Sequence, residues 1–222
     1  HALVHELNTP LTPMLGAADL LVQRIKDEPC ASFVKNLNQG IQRLHQRIDE
    51  LLDIARGDVG LLKLDIEEVD PNEIAYEATD YMKLEAAKYG HELLVEIEGA
   101  PLPIILADRK RLHQIFNNLL NNAIKYSPEP DKIVLKAFLD NDNIIFSVAD
   151  NGIGMDGETM KYAFEYYYCE RENRKGGLGL GLALCKLLVN QHGGEINLES
   201  KKGVGTTVQF SIPVNNNFRM VA

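Results

Sequence analysis

The sequence predicts an α+β chain in two parts, a helical hairpin over residues 1–57 and an α/β sandwich over residues 61–215. Three observations predict it. The N-terminal quarter places apolar side chains alternately three and four residues apart, which is the seam of packed helices. After Gly57-Asp58-Val59-Gly60 the pattern changes to the alternation of strands, broken by separate helical stripes. Strands and helices in mixed order then favour a mixed sheet covered by helices on one face.

In the first part, Val4, Leu7, Leu11, Met14, Ala18, Leu21 and Ile25 form the seam of a helix that ends near Lys26, where Asp27-Glu28-Pro29 supplies a turn. A second helix is predicted from Ala31 to Arg56 on Val34, Leu37, Ile41, Leu44, Ile48, Leu51 and Ala55. Two heptad helices on a short loop make an antiparallel hairpin. So small a hairpin buries too little surface alone, and a second copy would complete a four-helix bundle across a two-fold axis, so a homodimer is expected. His5 lies one residue off the seam, where its ring can face solvent, with Glu6 adjacent and Thr9 about one turn further on the same side. Pro10 and Pro13 each remove a donor and would cost an ordinary helix interior roughly 3 kcal/mol. Only four residues precede His5 and none is Met, so an upstream module outside this chain is expected.

In the second part, Leu62, Leu64 and Ile66 alternate as a strand, and Asp70-Pro71 starts a helix that runs to Tyr89 before Gly90. Leu93, Val95 and Ile97 form the next strand. Asp108 caps a helix whose buried stripe is Leu112, Ile115, Phe116, Leu119, Leu120, Ala123 and Ile124, ending at Tyr126. A hairpin fits Ile133 to Leu139 and Ile144 to Ala149 around a polar turn, Asp140 to Asn143. A helix from Leu182 to Gln191 and strands over Glu195 to Ser200 and Thr206 to Ile212 complete the order.

Charge and composition narrow the function classes. The formal net charge is -9 and the lysines and arginines are scattered, which argues against nucleic acid as a partner. No apolar run is long enough to cross a membrane and no signal peptide is visible, so no direct membrane contact and a cytoplasmic location are expected. Cys30, Cys169 and Cys185 show no metal-ligand spacing and fit a reducing compartment.

Four separated stretches carry nucleotide chemistry. Asn118, Asn122, Lys125 and Tyr126 line the side of their helix opposite the leucines, where an amide oxygen can serve a magnesium ion and an ammonium can neutralise phosphate. Asp150-Asn151-Gly152-Ile153-Gly154 follows a strand; its glycines admit a flat ligand and its carboxylate can accept from an exocyclic amine. Gly176-Gly177-Leu178-Gly179-Leu180-Gly181-Leu182 enters a helix whose free N–H groups can receive phosphate. Gly203-Val204-Gly205-Thr206 introduces the last strand.

The run His5-Glu6-Leu7-Asn8-Thr9-Pro10 resembles the phospho-acceptor box of the sensor histidine kinases of two-component systems, with Asn8 where a basic residue is commoner. The four later stretches resemble, in order and separation, the asparagine and glycine boxes of that family's ATP-binding domain, whose sandwich fold is shared with gyrase and chaperone ATPases. The resemblance implies ATP and Mg2+ as cofactors and phosphoryl transfer to His5, with Glu6 polarising its ring and Lys125 stabilising charge. It makes Asn122 the magnesium-binding amide, with Asn118, Lys125 and Tyr126 at the phosphate end. Asp150 reads adenine, Gly152 and Gly154 shape its pocket, and Thr206 lies behind it. Gly177, Gly179, Gly181 and Leu182 belong to the lid base and phosphate end.

The same resemblance implies a response regulator receiver domain as partner, and a phosphatase role for Thr9. Phe164-Glu165-Tyr166-Tyr167-Tyr168 occupies the aromatic box, with Tyr167 for a Phe and Cys169 for an Arg. That cluster is open to reading as core, docking patch or nucleotide contact, and Arg171, Arg174 and Lys175 all stand as lid cations. A degenerate nucleotide-binding scaffold is the alternative function. A chaperone- or topoisomerase-type ATPase fits less well, because Asn118 stands where those enzymes carry a general-base Glu, and an amide cannot take a proton from water.

Overall fold

A computed structural model describes residues 14–22, 24–25, 27, 30–99, 101–128, 130–168 and 179–214. The chain divides into two compact units, His1–Leu62 and Lys63–Ala222.

In the first unit, α1 (residues 14–22) and α2 (Cys30–Asp58) are the described helices. Ala18 and Ile41 of the two seams are buried. Asn38 Nδ2 of α2 donates to Asp19 Oδ1 of α1 at 2.9 Å. The rest of the seams is only partly covered within one chain, since Leu37 is 56% exposed and Leu44 49% exposed, with Met14 and Leu21 also open. Helix α2 runs two residues past the expected end at Arg56, and Gly60 at φ +69° then turns the chain.

The second unit contains β1 (Glu67–Val69), α3 (Pro71–Lys88), β2 (Glu92–Glu98), β3 (Ile105–Ala107), α4 (Arg109–Tyr126), β4 (Lys132–Asp140) and β5 (Asn143–Asp150). It continues with α5 (Gly157–Tyr162), α6 (Gly181–Gln191), β6 (Ile196–Lys201) and β7 (Gly205–Pro213). The main sheet has the order β2-β4-β5-β7-β6, with β2 parallel to β4 and every other pair antiparallel. Its register aligns Val95 with Leu135, Leu135 with Val148 and Val148 with Val208, so one face is apolar across the sheet. Helices α3, α4 and α6 pack against it. Phe116 of α4 meets Phe146 at 5.1 Å and Phe210 at 5.4 Å between ring centroids, which centres the core on α4, β5 and β7.

The capping signals are observed. Asp70 accepts from Asn72 N at 2.7 Å with Pro71 at the first helical position, and Asp108 Oδ1 accepts from Arg111 N at 3.0 Å. All seven expected stripe residues of α4 are buried. The expected strand at 62–66 is corrected: Leu62 is buried and Leu64 and Ile66 half-buried between exposed neighbours, yet the ladder begins only at Glu67, opposite Ala107. Alternating burial is present there without a partner strand, because β3 is only three residues long. Strand β3 and the six-residue α5 are elements that the sequence reading lacked. Neither is long enough to display a period.

His192 joins the ends of two helices. Its buried ring accepts the Asp108 N–H at Nε2, 3.0 Å away, and donates from Nδ1 to the Leu188 carbonyl at 2.8 Å. Those two bonds require the neutral ring. Burial pushes its pKa down, outweighing the Leu188 bond and the nearby Asp108 carboxylate; the Arg111 charge adds to the depression. The unfolded chain therefore binds a proton more readily than the native one, and stability is lost as pH falls below about 6.5 towards the depressed native value. Thermal unfolding followed by circular dichroism should show a midpoint that drops between about pH 7 and pH 5. That drop should shrink in His192→Gln, and an unchanged slope in the variant would remove His192 as its source.

Candidate functional site

The second unit brings described residues of all four nucleotide stretches into contact. The C-terminal end of α4 meets the turn after β5: Ile153 N donates to the Tyr126 carbonyl at 3.0 Å. Gly152 fits only because it has no side chain, since a Cβ there would stand 2.4 Å from the Tyr126 oxygen. Gly154, at φ +62°, lies against the β6–β7 turn, where a Cβ would stand 2.0 Å from the Lys201 oxygen. Gly203 N then donates to the Ile153 carbonyl at 2.7 Å and locks the two turns together.

Asp150 sits where these turns converge. Its Oδ1 accepts from Gly152 N at 2.9 Å and from Thr206 N at 3.2 Å, which fixes the plane of the carboxylate. Oδ2 has no bond to any described residue. Burial pushes the carboxyl above the ordinary aspartate range, opposed by the two backbone donors and reinforced by the negative charge of Asp131. An acceptor held this way is suited to an N–H of a flat, partly buried ligand.

The polar side of α4 faces the same region. Lys125 Nζ donates to the Tyr126 hydroxyl at 3.1 Å and lies 4.6 Å from that ring's centroid. Asn122 is half-buried and its amide engages no described residue. Asn118 Nδ2 donates to Gly181 O at a long 3.5 Å, and a Cβ on Gly181 would lie 3.7 Å from the Asn118 amide. Helix α6 begins at Gly181 with no side-chain cap on Leu180, so among the described residues the first-turn N–H groups of an eleven-residue helix, Leu182 among them, have no side-chain acceptor. An anion would satisfy them. An open amide, an ammonium and an uncapped helix start fit phosphate with a bound magnesium ion. The open carboxylate and glycine-lined turn fit a purine.

Two residues that sequence reasoning missed hold this site. Ser200 Oγ donates to the Gly205 carbonyl at 2.9 Å, lies 2.9 Å from Thr206 Oγ1, and accepts Met155 N at 2.8 Å. Asp131, in the turn after α4, bonds both the backbone and the side chain of Asn151. Neither carries a sequence signal, since a Ser in a strand and an Asp in a Pro-rich turn are commonplace. The aromatic stretch is not core: Tyr166 and Tyr167 are exposed, and the chain closes on Gly179 through Tyr167 N to the Gly179 carbonyl at 3.1 Å. Tyr167 takes a left-handed φ of 63° to do so.

His5, Glu6, Thr9 and Gly177, with Cys169, Arg171, Arg174 and Lys175, lie outside the described residues.

The model of the His Kinase A (phospho-acceptor) domain matches residues 1–60, and that of the histidine kinase-, DNA gyrase B- and HSP90-like ATPase matches residues 107–216. The alginate biosynthesis sensor protein KinB of Pseudomonas aeruginosa is 32% identical over 95% of this chain and 36% of its own length. Sensor histidine kinase YkoH of Bacillus subtilis is 34% identical over 93% of this chain and 46% of its own. The crystal structure of full-length ShkA in complex with AMPPNP superposes with a TM-score of 0.81 at 30% identity, over 96% of this chain and 44% of that one. The chain therefore spans about a third to a half of the length of these relatives. With an acceptor-domain match over residues 1–60 and an ATPase-domain match over residues 107–216, the chain belongs to the histidine kinases of two-component systems, as their catalytic core.

Proposed function

We propose that this chain is the catalytic core of a protein histidine kinase, with residues 1–57 as the dimerisation and phosphotransfer domain and 61–215 as the ATP-binding domain. The observation that carries the reading is the Asp150 carboxylate, pinned on Oδ1 by Gly152 and Thr206 with Oδ2 open beside a turn that only glycines can form. ATP would enter with its adenine amine on Asp150. Its phosphates would lie towards Lys125, Tyr126 and the start of α6, with Gly177, Gly179 and Gly181 at the lid base. Magnesium, when bound, would neutralise charge on the phosphate oxygens, and Asn122 is the amide placed to hold it, supported by Asn118.

The reaction is an in-line displacement. The His5 Nε2 lone pair forms a bond to the γ-phosphorus as the bond to the bridging oxygen breaks, ADP leaves, and Glu6 holds the proton on the other ring nitrogen. A neutral imidazole suits this, because its ordinary pKa near 6.5 leaves a lone pair at cytoplasmic pH. The phosphoryl group then passes to an aspartate on the receiver domain of a response regulator. A homodimer is supported by the open seam positions Leu37 and Leu44. Among the described residues no helix is long and apolar enough to cross a membrane, and the cytoplasm is the compartment that this chemistry needs. Incubation with labelled magnesium-ATP tests the proposal: the protein should acquire an acid-labile, base-stable phosphoryl group, and absence of label would refute it.

We assign a reverse role to Thr9, four residues after His5 in the sequence, whose hydroxyl would hold a water against a receiver's phosphoaspartate. Thr9→Ala should leave labelling of His5 near normal and slow the decay of purified phosphorylated receiver. Decay as fast as with the parent would leave Thr9 without a phosphatase role.

A further inference from the structure

Asp150 is held at Oδ1 by Gly152 of the following turn and by Thr206 of β7, and the peptide between Asp150 and Gly152 sets where that turn places the carboxylate. That peptide is held from outside. Asn151 N donates to Asp131 Oδ2 at 2.7 Å, and Asn151 Nδ2 donates to Asp131 Oδ1 at 2.7 Å, so both carboxylate oxygens grip one residue. Asp131 is itself seated from three sides. Ser127 Oγ, at the C-terminal cap of α4, donates to its Oδ2 at 3.2 Å, Lys132 N donates to Oδ1 at 2.6 Å, and its own N–H donates to the buried His91 Nδ1 at 3.0 Å. Its carbonyl accepts Glu92 N at 2.8 Å where β2 begins. The clamp thus ties the end of β5 to the end of α4 and to the β2–β4 edge.

We infer that Asp131 is a positioning residue for the base-reading carboxylate, holding Asn151 so that Asp150 Oδ2 faces the exocyclic amine of a purine. The inference rests on the reading of Asp150 as the adenine acceptor. Burial alone would raise the Asp131 pKa, but the bonds from Asn151, Lys132 and Ser127 outweigh it and hold the carboxyl below the usual aspartate range, as an acceptor of several N–H and O–H groups requires. An amide in its place loses one acceptor and turns an NH2 towards a donor. Exchanging the pair restores the complementarity towards residue 151, because an amide at 131 can accept the backbone N–H of residue 151 and donate to a carboxylate there, and only the exposed Lys132 N–H loses its acceptor.

The test compares affinities for ATP and for purine riboside triphosphate, which lacks the 6-amino group, by calorimetry on the full chain. The parent should prefer ATP, and Asp150→Asn should lose that preference. Asp131→Asn should weaken ATP about tenfold while changing the amine-free analogue much less, so the ratio between the two collapses. The double variant Asp131→Asn with Asn151→Asp should recover the ratio. A structural role would weaken both ligands in proportion, and that outcome, or an unchanged ratio in Asp131→Asn, overturns the clamp while leaving Asp150 in place. A parent that binds both nucleotides alike overturns the reading of Asp150, and the inference falls with it. Thermal unfolding of each variant identifies one that fails to fold, and then the double variant decides: a restored ratio supports the clamp and an unrestored one overturns it.

Discussion

With His5→Gln, labelled magnesium-ATP leaves no phosphoryl group on the protein, while nucleotide affinity stays that of the parent. The first half follows from the lone pair. A neutral imidazole offers one ring nitrogen with an electron pair free for attack, whereas a carboxamide nitrogen delocalises its pair into the carbonyl and is not a nucleophile at neutral pH. Glu6 does not mimic that label, since it would give an acyl phosphate, which base hydrolyses. The second half follows from separation in sequence and fold. Every residue assigned to the nucleotide lies in the second compact unit, beyond Lys63, and His5 lies in the first. Filter binding after acid and base treatment reads the label, and calorimetry reads the affinity. Labelling of the variant equal to the parent would reassign the acceptor, and loss of nucleotide affinity would show that His5 supports the ATP site.

The parts of this chain legible in its sequence are those where one physical rule acts alone. Helix α4 is the clearest: its cap Asp108, its apolar stripe and its end at Tyr126 were all readable, because a period of 3.6 over eighteen residues has no competing explanation. The hairpin β4–β5 was readable for the same reason, with a polar turn between two alternating runs. Residues 62–66 alternate in burial as the sequence suggests, but a ladder needs a partner, and the partner's length is set forty residues away. Within the site, Asp150 and its glycines announce themselves by type and order. Asp131 and Ser200 do not, because what makes them matter is a contact across 20 residues to Asn151 in one case and across 45 to Met155 in the other. The glycines also carry more than permissiveness: at Gly152 the missing Cβ is the space that a carbonyl at the end of α4 occupies, and at Gly154 and Gly205 it is the space of a strand carbonyl.

That last point sets the second large effect. Gly154→Ala should reduce ATP affinity at least tenfold, about 1.4 kcal/mol, without touching any group that contacts the nucleotide through a side chain. Two penalties combine there. The residue stands at φ +62°, which costs a side chain about 1–2 kcal/mol, and its new Cβ would lie 2.0 Å from the Lys201 oxygen and 3.1 Å from the Gly205 oxygen. Those oxygens cannot retreat, because Lys201 and Gly205 face each other as register partners at the end of the β6–β7 ladder. The turn must therefore shift instead, and with it Gly152 and the plane of Asp150. Gly203→Ala is the matched control: its φ is +77°, but nothing lies within 4 Å of a Cβ there, so it carries the dihedral penalty without the collision. Calorimetry with ATP on both variants, with thermal unfolding to exclude collapse of the fold, separates the two. The Gly203 variant should bind nearly as the parent does, and equal losses in both would trace the effect to backbone strain alone. Gly154→Ala also leaves His5 intact, so mixing it with His5→Gln should restore label in a dimer where one subunit can phosphorylate the other. Label on the Gly154→Ala chain of such a mixture above that of the same variant alone would show transfer between subunits, whereas undiminished ATP binding by that variant would remove the turn from the nucleotide site.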